Sequence, residues 1–323
     1  MEQKLRLPHF TISFFAIVLG LSGLALTVVK ISELYPVLHQ TGIWATGFSL
    51  AVFAVVFFFY LLRIFKYPQE VKKEFFHPVK MNFFPLLAKI FLVHSVIFLS
   101  IDKQTSFVFW ILGVIVQTVF IFAILSVWIR HTRFEIHHMN PAWFMPVVGA
   151  IMIPITGVEH APKEISWFFF AIGVVLWLAL FTIVFYRMIF HSPIADKLLP
   201  TLFILFAPPA IGFISYYKLT GGLDAFGSIL YYFALFLMIL VFLQVKLFSK
   251  ISFFLSWWAY SFPLAAISVA TVLMYRLTNL PFFQILFFVL AGLLVLIVLF
   301  LMIKTTREVI KKSLCIEEKE EKA

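Results

Sequence analysis

Hydrophobic residues along this chain gather into long runs separated by short charged or turn-forming segments. Each run is too long for a buried core helix, and a bilayer core takes roughly 20 mainly apolar residues per helix. The pattern predicts ten membrane spans, at about 9–29, 41–63, 81–101, 105–129, 143–160, 165–189, 199–217, 224–246, 251–275 and 280–303. The connectors are short and none reads as a folded extramembrane domain, so residues 1–323 are expected to form a single transmembrane domain. Residues 304–323 form its charged cytoplasmic tail. The first run follows Lys4 and Arg6 and could be taken for a signal peptide. It is about 20 residues long and is followed by Lys30-Ile31-Ser32-Glu33, which offers no small-x-small cleavage site, so it reads as a retained first helix.

Proline divides the runs into two classes. The odd spans carry it inside: Pro85 in the third, Pro146 and Pro154 in the fifth, Pro208 and Pro209 in the seventh, Pro263 in the ninth. The first has Pro8 at its start and Gly20 and Gly23 within. The second, fourth, sixth and eighth contain none, and Pro281 sits in the first turn of the tenth, where proline costs little. Proline frees a backbone carbonyl, which in hydrocarbon is expensive unless protein or water satisfies it. Kinked odd helices therefore belong inside the bundle, and straight even helices outside. Odd spans begin about 50–70 residues apart, which predicts five related helical hairpins around a central path.

Composition agrees, with 63% hydrophobic residues against 12% charged. The net charge of +10 might suggest nucleic acid in a soluble protein, but here the charges sit in loops and set orientation. The two ends and every second connector hold 19 Lys and Arg; the alternate connectors hold 5, namely Lys30, Lys103, Lys163, Lys218 and Arg276. The positive-inside rule then puts both termini in the cytoplasm. The single Cys315 excludes an internal disulfide and any multi-cysteine metal site. Short termini and the absence of processing signals point to a bacterial inner membrane.

Lys89 is the remaining cation. It lies about eight residues into the third span, one turn after Pro85 on the same face. A charge at mid-membrane costs about 2.5–3.5 kcal/mol on insertion scales, so Lys89 is expected to face water or a partner. No Asp or Glu lies in the core of a span to pair with it, and Glu159 is at the end of the fifth. Lys89 in a path would favour anions; the alternatives are snorkelling to the cytoplasm or an uncharged amine. Proton-coupled carriers commonly use intramembrane carboxylates or histidines. Here His94 alone is deep in a span, about 140° from Lys89 around the helix, and is expected to make an interhelical hydrogen bond. The sequence leans to passive conduction. His131, His137, His138 and Glu135 share one connector and are read as a solvated loop, so neither metal nor cofactor is expected. No Walker, Gly-x-Ser-x-Gly, zincin or Asp-rich motif suggests an enzyme. Most of the 43 phenylalanines must face lipid or pack between helices; a few on odd helices could block a path.

The ninth span contains Trp257-Trp258-Ala259-Tyr260-Ser261-Phe262-Pro263. This resembles the pore-helix motif of the tellurite-resistance and guard-cell slow anion channel family, which includes fungal dicarboxylate transporters. Phe15-Ala16-Ile17-Val18-Leu19-Gly20 and His77-Pro78-Val79-Lys80 are similar too. The resemblance implies ten helices as five hairpins in quasi-fivefold arrangement, a pore lined by the odd helices, and a homotrimer with one pore per subunit. It also implies that Phe262 occludes the pore. Ala16 stands where related bacterial proteins carry glycine, and its methyl group is expected to narrow the space beside Phe262. The expected lining is Ala16, Gly20, Pro85, Lys89, Pro154, Pro208, Ala259 and Pro263. The function implied is a passive, phenylalanine-gated channel for chloride or nitrate. The alternatives are a secondary transporter of C4-dicarboxylates such as malate, or an efflux protein for tellurite and other oxyanions. A membrane enzyme built on the histidine loop comes last.

Overall fold

A computed structural model of the chain describes residues 6–130, 132, 134–248 and 251–315. Lys4, His131, Arg133, Lys250 and residues 316–323 of the charged tail lie outside the described residues. Those described form an all-helical protein. Ten helices are long and apolar enough to cross a membrane: Ile12–Ser32, Pro36–Lys66, Lys80–Phe98, Lys103–Arg130, Pro141–His160, Lys163–Phe190, Asp196–Thr220, Ala225–Leu243, Leu255–Thr278 and Pro281–Ile310. They correspond one to one with the ten predicted runs.

The two classes differ in burial as well as in proline. Within the apolar window of each odd span, between 67% and 94% of residues are buried; in the even spans the figure lies between 22% and 39%. Each odd span packs against the even span that follows it. The first span also packs on the third, the third on the fifth, the fifth on the seventh, the seventh on the ninth, and the ninth on the first. The odd spans thus close a ring, with the even spans outside it presenting large apolar side chains such as Phe58, Phe122, Val175, Phe236 and Leu296 outward.

Each odd span changes helix type, whereas the fourth, sixth, eighth and tenth spans are each one α-helix and the second is one after a single 3₁₀ turn at Pro36–Leu38. The odd spans open with 3₁₀ segments, Ile12–Phe14, Lys80–Phe83, Pro141–Phe144, Asp196–Phe206 and Leu255–Tyr260, before turning α-helical. Prolines mark the α starts. Pro85 immediately precedes the α segment Leu86–Phe98, Pro146 is second in Met145–Met152, Pro154 opens Pro154–His160, Pro208 and Pro209 follow Ala207, and Pro263 is third in Ser261–Thr278. The first turn of an α-helix leaves its N–H groups unbonded anyway, so a residue lacking one fits there. The predicted kinks at Pro85, Pro146, Pro208, Pro209 and Pro263 are therefore junctions between 3₁₀ and α-helix, and the one at Pro154 is a break between two α segments. The first span makes the same change at Phe14–Phe15 without a proline.

Irregular backbone at membrane depth must be satisfied by protein. Around the break at Pro154 it is: Ser215 Oγ of the seventh span donates to the Ile151 carbonyl, and Trp110 Nε1 of the fourth donates to the Ile153 carbonyl at 3.1 Å. His94 lies 3.0 Å from Ser49 Oγ of the second span through Nε2, the interhelical contact its position predicts. At the end of the bundle holding the chain termini, a buried clasp fixes the start of the first span. Glu74 accepts from the Ile12 amide at 2.8 Å and pairs with Arg63, whose Nε donates to the Pro8 carbonyl at 2.9 Å.

Candidate functional site

The C-terminal ends of the five odd spans enclose a cavity of about 430 Å³. Among the described residues, no even span contributes to its lining. Each odd helix turns one stripe inward: Leu26 from the first, Val93 and Val96 from the third, Met152 and Ile155 from the fifth, Ile211 and Ile214 from the seventh. The ninth gives the longest stripe, from Phe262 through Ala265, Ala266 and Val269 to Arg276. Spacings of three, four and seven residues place these side chains on one helix face.

Phe262 bounds this cavity along the ninth span. Every residue from Ser261 to Val272 is buried except Phe262, which is half-buried; the cavity is the space it faces. Among the described residues its ring stacks on no other aromatic, whereas neighbouring Tyr260 packs against Phe203, Phe248 and Trp257. Two glycines of the first span let the backbones approach here. A Cβ on Gly20 would lie 2.3 Å from Ser261 Oγ and 2.7 Å from the Trp258 ring. A Cβ on Gly23 would lie 2.9 Å from the Ala265 Cβ and 3.5 Å from the Phe262 ring. The glycine beside Phe262 is thus Gly23, two turns beyond Ala16, while Gly20 serves the packing of the first span on the ninth.

The polar lining is confined to the far end, away from the chain termini. Lys30, Lys218 and Arg276 stand there with one carboxylate, Glu33, and with Ser100 and Tyr217. Glu33 lies 2.7 Å from Arg276 Nη2 and also pairs with Lys30. Burial pushes the Glu33 carboxyl up, but the charge and hydrogen bond of Lys30, and then Arg276, pull it further down, so it is held below its ordinary value of 4.5. Among the described residues Lys218 forms no ion pair. Three cations against one carboxylate leave the rim net positive, a field that concentrates anions at the cavity mouth. Below the rim the wall is apolar.

Of the nine expected pore residues, Phe262 lines this cavity and the others do not. Ala16, Gly20, Pro85, Lys89, Pro208 and Ala259 each precede, on their own spans, the residues that do. Pro154 and Pro263 alternate with lining residues but turn elsewhere. Lys89 is 2% exposed; its amide donates to the Pro85 carbonyl at 3.2 Å, and among the described residues its side-chain amine makes no hydrogen bond or ion pair. It sits one turn before Val93 and two before Val96, so the third span's stripe runs back to it. The rim itself was missed by sequence reasoning, which counted Lys30, Lys218 and Arg276 as loop charges. The signal was available: each ends an odd span. Lys103 and Lys163 begin even spans, and Lys103 approaches Glu159 at 3.7 Å instead. In the histidine connector, His137 Nδ1 lies 3.3 Å from Glu135, and the described residues hold no group of three metal-ligating side chains.

Ten apolar spans, a buried ring of alternate spans and a cation-rimmed cavity inside it define a multi-pass anion transport protein. The chain belongs to the family described as voltage-dependent anion channel, which matches residues 9–306. An uncharacterized transporter of Methanocaldococcus jannaschii is 28% identical over 94% of this chain and 96% of its own. The S-type anion channel SLAH3 of Arabidopsis thaliana is 27% identical over 93% of this chain, which spans 48% of the plant protein. The tellurite resistance protein TehA homolog of Haemophilus influenzae is 25% identical over 90% of each chain.

Proposed function

We propose that this protein is a passive channel for small monovalent anions such as chloride and nitrate, with Phe262 as its gate. One observation carries the reading: the cavity is built from odd spans alone, is rimmed by cations at one end, and reaches the half-buried ring of Phe262. A bulky ring across an apolar constriction blocks ions by sterics and by excluding water. Among the described residues the ring has no aromatic partner, and its exposed face meets the cavity, the side toward which a rotamer change would swing it. Lys89, one turn deeper on the third span's inward stripe, is the next cation an anion would meet, and the charge bias of the connectors makes the rimmed end external. The resemblance of the ninth-span motif supports a homotrimer of such pores in a bacterial inner membrane with both termini cytoplasmic.

The second reading is a secondary transporter of C4-dicarboxylates or an oxyanion efflux protein. The tellurite resistance relative favours it; the apolar wall, with no titratable group between rim and Phe262, counts against proton coupling. Anion current recorded from wild type and Phe262→Ala in planar bilayers separates them. A channel gives Phe262→Ala an anion current above wild type on the order of tenfold or more, indifferent to a proton gradient. Saturable flux that collapses with the proton gradient would establish the carrier.

A further inference from the structure

We propose that the rimmed cavity is a binding site for amphipathic monoanions, ligands with one anionic headgroup on an unbranched apolar tail. The proposal rests on reading the cavity as the outer half of the conduction path, and names a ligand class that lodges there instead of passing.

The cavity separates its chemistry by depth. All its charged residues stand at one end, and among the described residues Lys218 is the rim cation whose charge no carboxylate takes up. Beneath the rim, Leu26, Val93, Ile155, Ile214 and Val269 offer apolar surface down to Phe262. A small inorganic anion leaving the rim meets no polar side chain on this wall. An alkyl tail gains from the same wall, because each buried methylene is worth about fourfold in affinity. Its headgroup need never leave Lys218. The dimensions suit such a ligand: Phe262 and Val269 are about 10 Å apart along their helix and Phe262 and Arg276 about 21 Å, at 1.5 Å per residue. A volume of about 430 Å³ accommodates a tail of that length.

The test uses linear alkanesulfonates, which stay ionised across the working range, titrated calorimetrically into the full-length protein in lipid nanodiscs. From ethane- to octanesulfonate, whose tails stay shorter than the distance from rim to Phe262, Kd is expected to fall about fourfold per added methylene. Lys218→Gln should weaken every member by a similar factor, about tenfold for a desolvated charge-assisted contact, and leave the slope intact. Val269→Ser should flatten the slope. Equal affinity for wild type and Lys218→Gln, which is what partition into the lipid alone gives, overturns the proposal. So does affinity independent of tail length. Current through Phe262→Ala is recorded in parallel. Conduction without sulfonate binding ends this proposal alone, and binding without conduction ends the channel reading alone.

Discussion

Phe262 is held differently from the aromatic residues around it. Tyr260 is wedged among three rings and Trp258 is buried, yet Phe262 keeps one face on the cavity and, among the described residues, no ring partner. Its surroundings depend on glycine. Gly20→Ala puts a methyl group against Ser261 and Trp258, and the strain is expected to cost about 1–3 kcal/mol, read as a lowered thermal midpoint of the purified protein. An unchanged midpoint would mean that the first and ninth spans are further apart than the structure has them. Glu33 makes a different prediction. Its carboxyl titrates lower folded than unfolded, so its contribution to stability is present above about pH 4.5 and is lost as pH falls through the depressed folded value. Glu33→Gln should therefore destabilise the protein by about 1 kcal/mol at pH 7, with the gap to wild type closing in acid. A gap that widened in acid would refute the pairing. Phe262 was legible in the sequence only through the motif around it; nothing in periodicity distinguishes it from 42 other phenylalanines. The rim was not legible, because a count of loop charges does not reveal that three span ends converge.

At the scale of elements, the change from 3₁₀ to α geometry in every odd span puts Phe262, the proposed gate, one residue past a junction. Leu255–Tyr260 is 3₁₀, Ser261 begins the α-helix, and Phe262 follows. The junction is fastened by Ser261 Oγ donating to the Trp258 carbonyl at 2.6 Å, and by Trp258 Nε1 donating to Thr305 Oγ1 of the tenth span at 3.0 Å. Removing either end of the second bond, by Trp258→Phe or Thr305→Val, should cost about 1 kcal/mol and raise the current at rest. The double variant should add little to either single one, since both delete the same interaction. Additive effects would show that the bond does not set the junction. Proline parity made the division into interrupted and continuous spans readable from sequence. The form of the interruption was not, because proline at an α start and proline at a mid-helix kink leave the same trace in a hydropathy pattern. The first span shows the limit, changing helix type with no proline at all.

Across the whole molecule, composition and run length were enough for ten spans, and the ring of odd spans follows from which helices bury their surface. Orientation rests on Lys and Arg bias and has its own test. In a Cys315→Ser background, Gly222→Cys should react with an impermeant maleimide in intact cells, and Lys72→Cys only after permeabilisation; the reverse pattern would put the rim on the cytoplasmic side. With that orientation, the rim faces outward, and along the proposed path Phe262 comes before the level of Lys89. The central claim is that anions cross at Phe262, and the reversal potential of Phe262→Ala under a tenfold potassium chloride gradient tests it most directly. The account predicts an enlarged current reversing close to the chloride equilibrium potential. A reversal close to the potassium potential, or a current no larger than wild type, would contradict it.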